Sequence, residues 1–96
     1  FRTSPVAKPA ALTLWHAPDY IAALQTAEAT GEATPDMRAR FQLGTLTNPV
    51  FPQVYRRPAT GAGGVMLAAE LLAAAPGAIH VPGGGTHHGL PDRANG

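Results

Sequence analysis

The chain has 96 residues, 45% of them hydrophobic, and a formal net charge of +1, which suits one small domain at most. With no cysteine, a disulfide framework and a thiolate metal site are both excluded. Charged residues make up only 14% and Arg56-Arg57 is the single adjacent basic pair, so an electrostatic nucleic-acid surface is excluded. The longest apolar stretch, Val65 to Ala78, is interrupted by Glu70 and Pro76 and is too short to span a bilayer. The start at Phe1-Arg2-Thr3, without Met or an apolar leader, reads as an internal piece of a cytoplasmic protein.

Phe1 to Pro9 is polar and punctuated by proline, so it reads as an extended or irregular lead-in. Leu12 to Trp15 is a short apolar run, either a strand or the approach to the first helix. Pro18 stands where a helix-opening proline belongs, and Tyr20, Ile21 and Leu24 follow at helical spacing until Thr30-Gly31. Thr34-Pro35-Asp36 has the form of a second start, a capping threonine followed by an acid in the first turn. Met37 and Phe41 continue that short helix towards Leu43-Gly44. From Thr47 to Pro58 the chain reads as a loop, because Pro49, Pro52 and Pro58 each delete a backbone donor.

The clearest helix is Thr60 to Ala75, with Val65, Leu67, Ala68, Leu71, Leu72 and Ala75 at spacings of three and four. Gly61, Gly63 and Gly64 each disfavour a helix interior by about 1 kcal/mol relative to alanine. Either they let this helix pack tightly on a neighbour, or they delay its start. Pro76-Gly77 ends it, and Ala78 to Val81 reads as a brief buried strand. A helix followed by a strand is half of a βαβ unit, so the expected class is α/β. One short strand needs neighbours, and the chain offers at most two.

The strand runs into Pro82-Gly83-Gly84-Gly85-Thr86-His87-His88-Gly89-Leu90-Pro91. Three glycines allow a sharp turn and a close approach, and two consecutive imidazoles at a strand end form a candidate proton-transfer site. The alternative is a solvent-facing pair with no chemistry. Glu70 and Asp92 read as a helix-face charge and a loop acid rather than as acid/base partners, and His80 as a packed strand residue. Three imidazoles, His80, His87 and His88, could bind zinc, but neighbouring histidines rarely share one metal and no carboxylate pair is suitably spaced.

Three segments together resemble a known family. Gly84-Gly85-Thr86-His87-His88, with Ala94-Asn95-Gly96 at matching spacing, resembles the tandem-histidine segment of the zinc-dependent histone deacetylases. Leu43-Gly44-Thr45-Leu46-Thr47-Asn48-Pro49-Val50-Phe51 resembles the family's Leu-Gly-Thr-x-Asp-Asn-Pro-Val-Phe segment. His16-Ala17-Pro18-Asp19-Tyr20-Ile21 resembles its His-x-x-x-Tyr-Ile helix start. The segments occur in the family's order, and the bacterial acetoin utilization proteins and acetylpolyamine amidohydrolases are most similar in style.

The resemblance implies a three-layer α/β/α arginase/deacetylase fold with a mostly parallel sheet. Residues 1–96 would be an early internal portion, lacking the opening strand and the metal-ligand half, and needing the remainder of the domain to fold. It implies removal of acetyl groups from acetyl-lysine or acetylated polyamines, with Zn²⁺ held by two aspartates and a histidine outside this chain. A metal-activated water would attack the acetyl carbonyl. His87 would take the proton of that water and His88 would protonate the leaving amine. Gly96 would line the acyl channel, and Thr47 would stand at the rim where relatives carry aspartate, with Phe51 on the same substrate loop. His16 would be structural. The alternative is a non-catalytic, truncated or decayed relative that binds a partner through the Ala-rich face from Val65 to Ala75.

Overall fold

Proline placement and caps set three of the four helices. The computed structural model describes residues 2–82 and 89–95, and its elements run α1 (Pro9–Leu12), α2 (Pro18–Thr30), α3 (Pro35–Phe41) and α4 (Arg56–Ala74). Pro9, Pro18 and Pro35 each occupy the first turn, where the missing N–H costs nothing and φ is already helical. Asp19 and Asp36 lie in the first turns of α2 and α3, beside the positive end of each helix dipole. Thr34 caps α3 through its hydroxyl, which accepts from the Met37 N–H at 3.2 Å. α2 stops at Gly31, whose φ of 80° closes the helix with an N–H bond to the Ala27 carbonyl. α3 stops at Gln42, a non-glycine residue with φ of 57°.

α4 begins four residues earlier than the Thr60 expected from periodicity, at Arg56. Pro58 falls in its first turn, where it does no damage. The cap comes from another helix: the Glu28 carboxylate accepts from the Arg56 N–H at 3.0 Å. The glycines of α4 serve close packing. The lead-in crosses the helix, with the Ala7 N–H donating to the Ala59 carbonyl at 2.9 Å. A Cβ on Gly63 would overlap the Pro5 carbonyl, and one on Gly64 would come within 2.6 Å of the Ser4 hydroxyl oxygen.

The expected α/β class is wrong for the described residues, which hold helices and no strand or sheet. Ala78 to Val81 forms no strand because none of its backbone groups bonds a partner segment among the described residues. Ile79 stays 42% exposed, and Val81 packs on Gly64 of α4 instead. The run Leu12 to Trp15 is no strand either; its first residue closes α1 and the rest turns into α2. Apolar β-branched residues supply the surface for a ladder but not the second strand that makes one.

The core has two small clusters. One joins Tyr20, Ala23, Ala33, Phe41 and Leu43, with the Tyr20 and Phe41 rings 5.9 Å apart. The other joins Ile21, Tyr55 and Ala59, and Leu24 touches both. The Tyr55 hydroxyl donates to the Ala7 carbonyl at 3.3 Å, fastening the lead-in to the second cluster. The extents are 47 × 21 × 21 Å, and residues 72–80, at the end of α4 and just after it, are exposed. No helix among the described residues is long and apolar enough to cross a membrane.

Candidate functional site

The turn after α3 builds one wall of the site. Gly44, with φ of 73°, donates its N–H to the Asn48 carbonyl at 2.8 Å, and the Asn48 N–H donates to the Thr45 carbonyl at 3.2 Å. A Cβ at Gly44 would sit 2.8 Å from the Ala33 side chain, so glycine is required by conformation and by space together. The turn anchors Leu43 in the core and leaves Leu46 and Thr47 exposed at its tip. A second turn follows, in which the Val54 N–H donates to the Phe51 carbonyl at 3.0 Å.

The segment from Gly89 onward forms the opposite wall, and the approach to α2 clamps it. Three consecutive residues donate to three consecutive carbonyls. Trp15 Nε1–H reaches Gly89 at 2.8 Å, His16 Nδ1 reaches Leu90 at 2.9 Å, and the Ala17 N–H reaches Pro91 at 2.8 Å. A carbonyl only accepts, so Nδ1 of His16 carries the proton in this bond. Further along, the Ala94 N–H donates to the Phe41 carbonyl at 2.9 Å, and Ala94 packs against the Tyr20 cluster. Segments 74 residues apart in sequence are therefore held in fixed register.

Between these walls lies an open cleft of about 910 Å³, bordered by His16, Tyr20, Thr47, Asn48, Phe51 and Asn95 among others. Burial holds the Tyr20 phenol above its ordinary value of 10.0. The Tyr55 phenol is raised by burial first and then by the Glu28 charge. Both hydroxyls are thus neutral donors at physiological pH.

Of the five site residues expected from sequence, Thr47 and Phe51 both border the cleft, Thr47 exposed and Phe51 39% exposed. His87, His88 and Gly96 lie outside the described residues. His16 is a packed, hydrogen-bonded residue that also faces the cleft. His80 is exposed and borders a separate pocket of about 560 Å³ beside α4. Glu70 is exposed on α4, and Asp92 pairs with its neighbour Arg93 at 3.7 Å. Among the described residues no group of three His, Cys, Asp or Glu could hold a metal ion.

Two features escape a sequence reading. The clamp of residues 15–17 on residues 89–91 has no local pattern, because backbone carbonyls do the accepting. Arg57 and Arg93 both border the cleft, although no local sequence pattern marks either as part of a site.

The histone deacetylase domain model matches residues 2–96. The chain belongs to the histone deacetylase family. No curated protein and no solved structure matches it. Histone deacetylases are generally zinc-dependent hydrolases, yet the described residues of this member do not fit a zinc site, since no donor set assembles among them. In this deacetylase-family chain the described parts of the segments that carry the resemblance border one cleft: His16 and Tyr20, the loop from Leu43 to Phe51, and Ala94-Asn95, with Gly89 and Leu90 beside them.

Proposed function

We propose that residues 1–96 are a partial deacetylase domain that supplies the acid/base histidines and the substrate loop for removing acetyl groups from acetyl-lysine or acetylated amines. The observation that carries this reading is the convergence of three segments, distant in sequence, on one cleft of about 910 Å³. His87 accepts the proton of the attacking water and His88 protonates the departing amine, a division that avoids expelling an unstable amide anion. The clamp supports that role, because it ties down Gly89, one peptide bond after His88. Phe51 offers an apolar wall to the acyl-bearing chain, Thr47 a hydroxyl at the rim, and Gly96 room beside the acyl group. The zinc ligands would lie outside this chain, and among its described residues no group of three His, Cys, Asp or Glu could hold the metal. Kinship with the bacterial acetoin utilization and acetylpolyamine enzymes, and a cytoplasmic location, are part of the same reading.

The test is acetate release by the whole reading frame that encodes this chain, supplied with zinc. His88→Ala is expected to lower kcat by about 10²-fold or more, the usual contribution of a positioned general acid. Undiminished turnover after replacing both His87 and His88 by alanine refutes the assignment. A second reading, a non-catalytic relative that binds a partner, draws on Val65 and Leu72, which are 45% and 40% exposed on α4. Turnover by the unaltered protein disposes of it.

A further inference from the structure

Among the described residues, the ionisable ones bordering the cleft are His16, Tyr20, Tyr55, Arg57 and Arg93, with no aspartate or glutamate. The acids are engaged or placed elsewhere: Asp19 and Asp36 pair with Arg40, and Glu28 caps α4. Arg57 is the second residue of α4, where the unpaired N–H groups of the first turn add positive potential. It pairs with no carboxylate among the described residues. Among the described residues Arg93 pairs only with Asp92, at 3.7 Å with both side chains at least half exposed, a contact too solvated to neutralise it. The Thr47 rim carries no charge, and Leu12, Ile21, Leu24 and Val54 give the cleft apolar lining. We propose that this cleft takes an acetylated amine whose far end is a carboxylate, with Arg57 and Arg93 as its counter-charges and the apolar lining against its alkyl chain.

Arginine suits that end group. Its planar fork meets a carboxylate with two parallel N–H bonds and stays charged at every working pH. An acetylated polyamine would bring an ammonium into a cleft whose bordering arginines are both positive, and would be repelled. The inference rests on the deacetylase reading for the acetyl end alone; the charge preference stands on the arginines.

Three probes with the same six-atom chain beyond the amide nitrogen separate the terms: 6-acetamidohexanoate, N-hexylacetamide and N-acetyl-1,5-diaminopentane, titrated by calorimetry or NMR at low salt into the whole protein that the reading frame encodes. The carboxylate is expected to bind about tenfold more tightly than the cation, with the gap closing as NaCl is raised. Arg57→Gln is expected to remove most of the gap, and Arg57→Lys to retain part of it, with helicity by circular dichroism unchanged in both. Equal affinity for the three probes, tighter binding of the cation, or no binding of any, overturns the proposal. Hexanoate is the control for the acetyl end. If it binds as well as 6-acetamidohexanoate, acetyl recognition fails while the charge preference survives. If the neutral amide binds as well as the acid, the reverse holds.

Discussion

At the scale of the residue, His16 and Trp15 connect the approach to α2 with the chain that follows the tandem histidines. His16→Ala removes the donor to Leu90 and leaves a half-buried carbonyl unpaired, which is expected to cost about 1–3 kcal/mol. Trp15→Phe keeps an aromatic ring but loses the pyrrole half of the indole with its bond to Gly89; since Trp15 is 64% exposed, water replaces the donor and the cost is expected to stay below about 1 kcal/mol. Urea midpoints give both values, and amide exchange at Ala94 reports whether the clamped segment loosens as a unit. A clamp that contributes nothing would leave His16→Ala at the unaltered midpoint. The sequence marks His16 as structural and says nothing of what it holds, because its acceptor is a main-chain carbonyl.

At the scale of the element, α4 depends on close approach by the lead-in. Gly63→Ala gains about 1 kcal/mol of helix propensity, yet its Cβ would overlap a backbone carbonyl at Pro5 that cannot move aside. The expected net result is destabilisation by about 1–3 kcal/mol, the usual penalty of overpacking. Gly64→Ala meets the Ser4 hydroxyl, which can rotate away, so it is expected to cost less than Gly63→Ala in the same urea series. A stabilised Gly63→Ala chain would show that the lead-in does not pack against Gly63. Glu28→Gln tests the other end of the argument and is expected to cost about 0.3–1 kcal/mol by removing a carboxylate from the α4 N-terminus. These elements also divide what is legible in the sequence from what is not. Pro18, Gly31 and Thr34 act on their own helices, so the limits of α2 and α3 are written locally. The start of α4 depends on Glu28, a residue in another helix, and periodicity from Val65 onward places it too late. Ile79 and Val81 look like a strand for their chemistry alone, but no partner pairs with them among the described residues.

At the scale of the whole molecule, the core is thin. Its buried residues fall in small clusters, no side chain larger than alanine is completely enclosed among the described residues, and Leu46 and Leu14 are 98% and 85% exposed. The radius of gyration is 14.3 Å, against about 12.5 Å for a compact domain of this length. With little apolar burial to draw on, the two tyrosines in the core weigh heavily in the response to pH. Both phenols titrate above 10.0 in the folded chain, Tyr20 through burial and Tyr55 through burial and then Glu28. Beyond pH 10 the unfolded chain therefore releases protons that the folded chain retains, so the folded state binds more protons and stability falls as pH rises. Below pH 10 both states hold both protons and the phenols impose no slope. The expected profile, from urea midpoints between pH 8 and pH 12, is level up to about 10 and then declines steadily. Tyr20→Phe, which keeps the ring against Phe41 and removes the titrating group, is expected to make that decline shallower. Tyr55→Phe is expected to do the same while lowering the level portion, because it also loses the bond to Ala7. An unchanged alkaline slope in Tyr20→Phe would mean that its hydroxyl reaches water in the folded chain, and the first cluster would then not be closed around it.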